Sequence, residues 1–304
     1  MTWFFIALAG SLLVAFSNHI DKYLISKYLQ GGQVGSLIIF SAIFSTVALP
    51  ILVLIHPAIF NITPLQGIAL MINGMLVVLA VLCYFYALHK DEATFVVPFY
   101  QTIPIFAFIL GYFILGETIS KIQIFGSFII IAGGLILSFE LLERKKIKFK
   151  KEVVLLMLTA SIFYAINGVI FKLIAINEGF WPSIFWGLAG HLVIGIWFLT
   201  FIPKYRRQFF EMLRENKAAV ISLNSFSEML FIVSEALTAY ATLLAPVALV
   251  LLVNAFQPVF VFIIGIILAI FLPHISQESI ERRVLIQKIA GICLVLIGSY
   301  FIGV

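Results

Sequence analysis

Two carboxylates stand inside an apolar stretch that should hold none. Glu228 and Glu235 both fall within residues 218–243, a run long and greasy enough to cross a bilayer. An ionisable side chain at the middle of such a helix costs at least ~2.5–3.5 kcal/mol, so its presence asks for a reason. Seven residues is nearly two helical turns, which puts both acids on one face. Asn224, Ser227, Thr238 and Thr242 extend that face into a polar stripe. Acids so placed can bind a cationic or zwitterionic molecule or exchange a proton. The plainer alternative is a structural pair with Lys22, Lys172 or a neighbouring hydroxyl.

Other polar groups recur at similar depth. Asn18 and Asn167 lie well inside their apolar runs, whereas Asp21 beside Lys22 reads as a neutralised pair nearer the membrane surface. His191 sits in the spacing Gly187-x3-His191-x3-Gly195, so the imidazole projects from a face built for close helix contact. Tyr100 and Gln101 precede Pro104, and Asn254 and Gln257 precede Pro258. A proline frees a carbonyl one turn earlier, which suits a hinge or a ligand contact. Trp181, Trp186 and Trp197 read either as a cation–π wall or as an interfacial belt. Cys83 and Cys293 lack disulfide or metal-ligand spacing and read as small buried apolar residues. The chain holds no His-Glu-x-x-His, no P-loop, no Gly-x-Gly-x-x-Gly and no Gly-x-Ser-x-Gly. No catalytic residue, metal or cofactor is therefore expected.

The elements that must position these groups are membrane helices. Hydrophobic residues make up 63% of the 304 and charged ones 11%, against roughly 25% charged in a soluble domain. One soluble core could not hide that much apolar surface. A spanning helix needs about 20 apolar residues. That ruler predicts ten, at 3–28, 34–55, 65–88, 93–112, 119–139, 152–176, 182–201, 218–243, 246–270 and 285–303. No Lys or Arg precedes Lys22, so the first run reads as a membrane helix rather than a cleaved signal.

The two halves repeat. Ser11, Ala15, Ile20 and Lys22 match Ser161, Ala165, Ile170 and Lys172, each 150 residues on. Tyr86-Ala87 matches Tyr240-Ala241, and Pro104-x-Phe106-x-Phe108-Ile109-x-Gly111 matches Pro258-x-Phe260-x-Phe262-Ile263-x-Gly265, both at an offset of 154. Gly126 and Gly133 match Gly291 and Gly298. The division predicted is residues 1–140, a basic linker at 141–151, and residues 152–304. Five helices per copy is an odd number, so the second copy must insert upside down, an architecture that recurs around midplane sites. The net charge of +5 gathers in the odd-numbered connections, from Lys90 through Arg144–Lys151 and Lys204–Lys217 to Arg282, Arg283 and Lys288. The positive-inside rule puts those connections in the cytoplasm and both termini outside. A lipid bilayer, not nucleic acid, is the macromolecular partner that this charge pattern implies.

These residues resemble the EamA-like branch of the drug/metabolite transporter superfamily. The likeness rests on the two five-helix copies, the Pro-x-Phe signature with Gly111, Gly116-Glu117 after it, and Gly126 with Gly133-Gly134. The second copy departs from it, with Ile270-Phe271 in the register of Gly116-Glu117 and a longer loop through Glu278 and Arg283. The resemblance implies an all-α, multi-pass transporter of the cell (inner) membrane, secondary rather than ATP-driven, moving a small polar metabolite such as an amino acid or amine. It implies alternating access, with a proton gradient or exchange as driving force and export as the direction. Glu235 leads the expected binding or coupling residues, with Glu228, Asn224, His191, Asn254, Tyr100, Gln101, Asn18 and Asn167. Pro104 and Pro258 are the expected hinges. A homodimer is compatible with this reading. The rival readings are an intramembrane enzyme acting on a lipid-linked substrate and a non-transporting sensor or subunit.

Overall fold

With no water to satisfy them inside lipid, backbone amides must be paired within each segment, and an α-helix does this. The computed structural model describes residues 1–28, 34–90, 96–138, 150–215, 217–271 and 282–303. Among these residues it is all-helical and holds ten helices long and apolar enough to cross a membrane. We number the spans α1 (Thr2–Tyr28), α2 (Val34–Ile55), α3 (Pro64–Lys90), α5 (Lys121–Ser138), α6 (Lys151–Glu178), α7 (Phe180–Phe201), α8 (Lys217–Leu244) and α10 (Arg282–Gly303). Two spans are compound. In α4 a 3₁₀ turn, Val97–Thr102, leads into Ile103–Leu110 and a π turn, Gly111–Leu115. In α9 the order is Val247–Leu252, a 3₁₀ turn at Val253–Phe256, then Gln257–Phe271. Both 3₁₀ turns fall just before the matched prolines, whose missing N–H and ring disfavour a continuous α ladder there.

The sequence reading left residues 202–217 as a connection. The structure makes Pro203–Glu215 a helix. Its signal was present: Pro203 at the first position and Tyr205, Phe209 and Met212 on one face. Tyr205 and Met212 are buried against the ends of the spans, and the Tyr205 hydroxyl hydrogen-bonds that of Tyr86. Most of the basic linker, and the loop through Glu278, lie outside the described residues.

Tails of lipid are as apolar as leucine, so helix association rests on close packing and polar contacts rather than on hydrophobicity. Pairs form across the halves: α1 with α8, α6 with α3, α1 with α9, α6 with α4, α5 with α10, and α4 with α9. Exchanging the first five spans for the last five leaves that scheme unchanged. Individual contacts exchange too. Ser11 donates to the carbonyl of Val253 at 3.3 Å, and its match Ser161 donates to the carbonyl of Phe99, the match of Val253, at 3.2 Å. Asn73 and Asn167 bond each other's backbone at 3.0 and 3.3 Å, while their matches Ser227 and Ser17 bond each other at 2.7 Å. In the α5–α10 pair, a Cβ on Gly126 would sit 2.8 Å from the Gly298 carbonyl, and one on Gly133 2.9 Å from that of Gly291. Only hydrogen fits at those crossings. The scheme is not complete: α3 lies closely along α7, whereas their counterparts α8 and α2 touch at few points.

Candidate functional site

Between the halves lies a cavity of about 570 Å³, walled chiefly by α1, α3, α4, α6, α7, α8 and α9, with Leu137 and Ser138 of α5 and Lys288 of α10 at its edge. Its volume suits a metabolite-sized ligand. Glu235 lines it, as the sequence predicts, together with His191 from α7 and Asn254 from α9. Tyr100 and Gln101 enter from the 3₁₀ turn of α4, and Asn18 and Asn167 from α1 and α6. Pro104 and Pro258 lie on the wall as well, so the backbone irregularities face the cavity rather than lipid. Irregular backbone at this depth is tolerated where it borders such a space.

Two predicted residues stand elsewhere. Glu228 is outside the described lining, and its carboxylate accepts a 2.7 Å hydrogen bond from Ser41 of α2. Asn224 is buried outside the cavity, and its Nδ2 finds no hydrogen-bond partner among the described residues. Shared helical phase put both on the Glu235 face, but that face is wide enough for its two ends to meet different neighbours. Gly74, the counterpart of Glu228, lies against α7, where a Cβ would be 2.0 Å from the Gly187 carbonyl. An acid is therefore sterically admissible in one copy and not in the other. The tryptophans form no cavity wall. Trp186 donates its indole N–H to the Ile59 carbonyl at 3.3 Å, and Trp181 and Trp197 are exposed on the outer surface.

The lysine reading changes as well. Lys172 pairs not with Glu228 or Glu235 but with Glu117, at 2.6 Å, both side chains being largely enclosed. The same ammonium donates to the Ala245 carbonyl at 2.8 Å, and the second carboxylate oxygen of Glu117 accepts from the Val247 N–H at 2.8 Å. One acid thus joins the end of α4, the end of α6 and the start of α9. Local sequence makes this clasp. Gly116 takes a left-handed φ of +67°, reversing the chain after the π turn. Glu117 then folds back over Gly111, where a Cβ would meet its carboxylate at 2.9 Å. The signature Gly111…Gly116-Glu117 is one device.

Residues 1–139, which span α1 to α5 and contain that device, match the EamA-like transporter family. The match covers a little under half of the 304 residues, so the first half of the chain is similar to that family. The family lies within the drug/metabolite transporter superfamily, and its members are transporters. A solved structure described only as "Crystal structure of protein" is 13% identical, with 99% of this chain and 96% of that one covered and a TM-score of 0.60. That likeness concerns the fold. No curated protein matches the chain.

Within this EamA-like chain, sequence reasoning missed several cavity residues. Asp21 was placed at the membrane surface as a partner of Lys22. In the structure it lines the cavity and accepts a 2.6 Å hydrogen bond from Ser227. Tyr84 and Tyr164 also line it, each in ring contact with Tyr100, the first tilted against it and the second edge to face. The missed signal was their spacing to predicted residues: Asp21 lies three after Asn18, and Tyr164 three before Asn167. Asn73 and Lys288 line it as well.

Proposed function

We propose that this EamA-like protein is a secondary transporter that carries a small polar metabolite across the cell membrane by alternating access. Residues 1–140 and 152–304 are inverted copies joined by the linker 141–151, and they rock about the central cavity on hinges at Pro104 and Pro258. The observation that carries this reading is a space of about 570 Å³ bounded by spans of both halves, largely apolar but with Glu235 and other polar residues on its wall. The recurrence of Ser11–Val253 as Ser161–Phe99, and of Asn73–Asn167 as Ser17–Ser227, supports the inverted duplication. Glu235 exchanges cargo for a proton, because one carboxyl group at membrane depth accommodates only one positive partner at a time. The clasp of Glu117 and Lys172 shuts one end of the cavity and must part when that end opens. The odd-numbered connections face the cytoplasm, and flux runs outward.

Proteoliposome flux tests this reading, using a panel of amino acids, amines and nucleotide sugars at two pH values. At least one solute should move against its gradient under an imposed proton gradient. Glu235→Gln should fold normally yet lose that coupling. Wild-type, pH-sensitive flux in Glu235→Gln would refute the assignment.

A further inference from the structure

The cavity departs from the two-fold pattern of the main helix pairs, and the departure has a chemical sense. On α1 the position of Asp21 corresponds to Phe171 of α6, and on α8 the position of Glu235 corresponds to Val81 of α3. Both carboxylates therefore belong to the wall made by α1 and α8. The reverse holds opposite. Tyr84, Tyr100 and Tyr164, from α3, α4 and α6, correspond to Thr238, Asn254 and Val14. Their rings form a continuous surface, with Tyr84 and Tyr100 centroids 5.3 Å apart and Tyr100 and Tyr164 centroids 6.0 Å apart. A duplicated fold would give like walls by default. Here one wall is anionic and the other aromatic.

The other ionisable groups on the lining do not cancel the acids. Lys288, from α10, donates to the Leu137 carbonyl, and His191 lies on the α7 side. Two carboxylates stand against one ammonium. Aromatic faces attract cations as well as apolar surface, and desolvation strengthens that attraction.

We propose that the cargo is an organic ammonium, its charge held between Asp21 and Glu235 and its carbon body laid on the Tyr84–Tyr100–Tyr164 wall. This rests on the transport reading and adds the class of cargo to it. Asp21 is a cargo-binding residue rather than a surface neutraliser. Ser227, donating to its carboxylate at 2.6 Å, fixes its direction.

The test is binding to the purified full-length protein, with choline and butylamine as probes and glutamate and glucose as controls. Both ammonium probes should bind and neither control should. Asp21→Asn, which still offers an oxygen to Ser227, should weaken ammonium binding about tenfold while melting at the wild-type temperature. Tyr164→Leu, which removes an aromatic ring from the wall, should lose severalfold. Equal binding by wild type and Asp21→Asn would overturn the inference, and so would binding of glutamate in preference to both amines. Ammonium binding without liposome flux would leave this inference standing and remove the transport reading. Flux of anionic or neutral solutes alone would do the opposite.

Discussion

Spans α4 and α9 occupy matching places in the two halves and share the run Pro-x-Phe-x-Phe-Ile-x-Gly, yet they finish differently. At the end of α4, Glu117 turns back on Gly111 and ties α6 to the start of α9 through Lys172, Ala245 and Val247. At the end of α9 the same register holds Phe271, 76% exposed to the surroundings. The matched run is present in both halves, and among the described residues the acid that fastens the end of α4 has no counterpart at the end of α9. Inverted repeats make the two faces of a membrane protein geometrically alike. On the proposed transport reading, this clasp is what makes the two ends of the cavity energetically unlike.

The comparison can be broken most forcefully at Glu117. Glu117→Ala would leave the Lys172 ammonium enclosed without its counter-charge and the Val247 N–H without its acceptor. We expect a loss of about 3–5 kcal/mol in unfolding measured in micelles. Glu117→Gln retains an oxygen for Val247 and should lose only about 1–2 kcal/mol. Similar losses for the two variants would mean that the charge contributes nothing. A smaller effect is expected at Gly116→Ala, about 1–2 kcal/mol for forcing a Cβ into the left-handed region. That loss should nearly vanish in a Glu117→Ala background, where the reversal no longer serves a clasp, and a double-mutant cycle would reveal it. The smallest change is predicted for Phe271→Glu, within about 0.5 kcal/mol of wild type, as for exposed substitutions generally. Stabilisation by a full kcal/mol would show that the second half can build the clasp from that one acid.

Fold class was legible because apolar runs of membrane length leave few alternatives. The matches that revealed the duplication lie where helices touch: Ser11 and Ser161 at 3₁₀ turns, Gly126 and Gly133 at the α5–α10 crossing. Contact conserves letters, so repeats show there. Boundaries were less legible where a helix changes pitch, as in the compound α4, since composition does not distinguish α from 3₁₀ or π geometry. Glu235 could be assigned to the cavity from helical phase alone. Glu228 could not be excluded by the same phase, because its neighbour Ser41 comes from a span distant in sequence. Asp21 was misjudged for a related reason. Depth along a helix was taken as distance from the cavity, but this cavity extends up α1 beyond Asn18 to the level of Asp21.

The central claim is that one cavity opens to either side in turn, with the clasp holding one end shut. Thr238 lines that cavity, so a single cysteine there, in a background lacking Cys83 and Cys293, reports access directly. With a membrane-impermeant thiol reagent, the account predicts modification mainly from one side in the otherwise native protein, slowly from the clasped side, and at similar rates from both sides once Glu117→Ala is added. No reaction from either side, or an unchanged one-sided pattern in the Glu117→Ala protein, would contradict it.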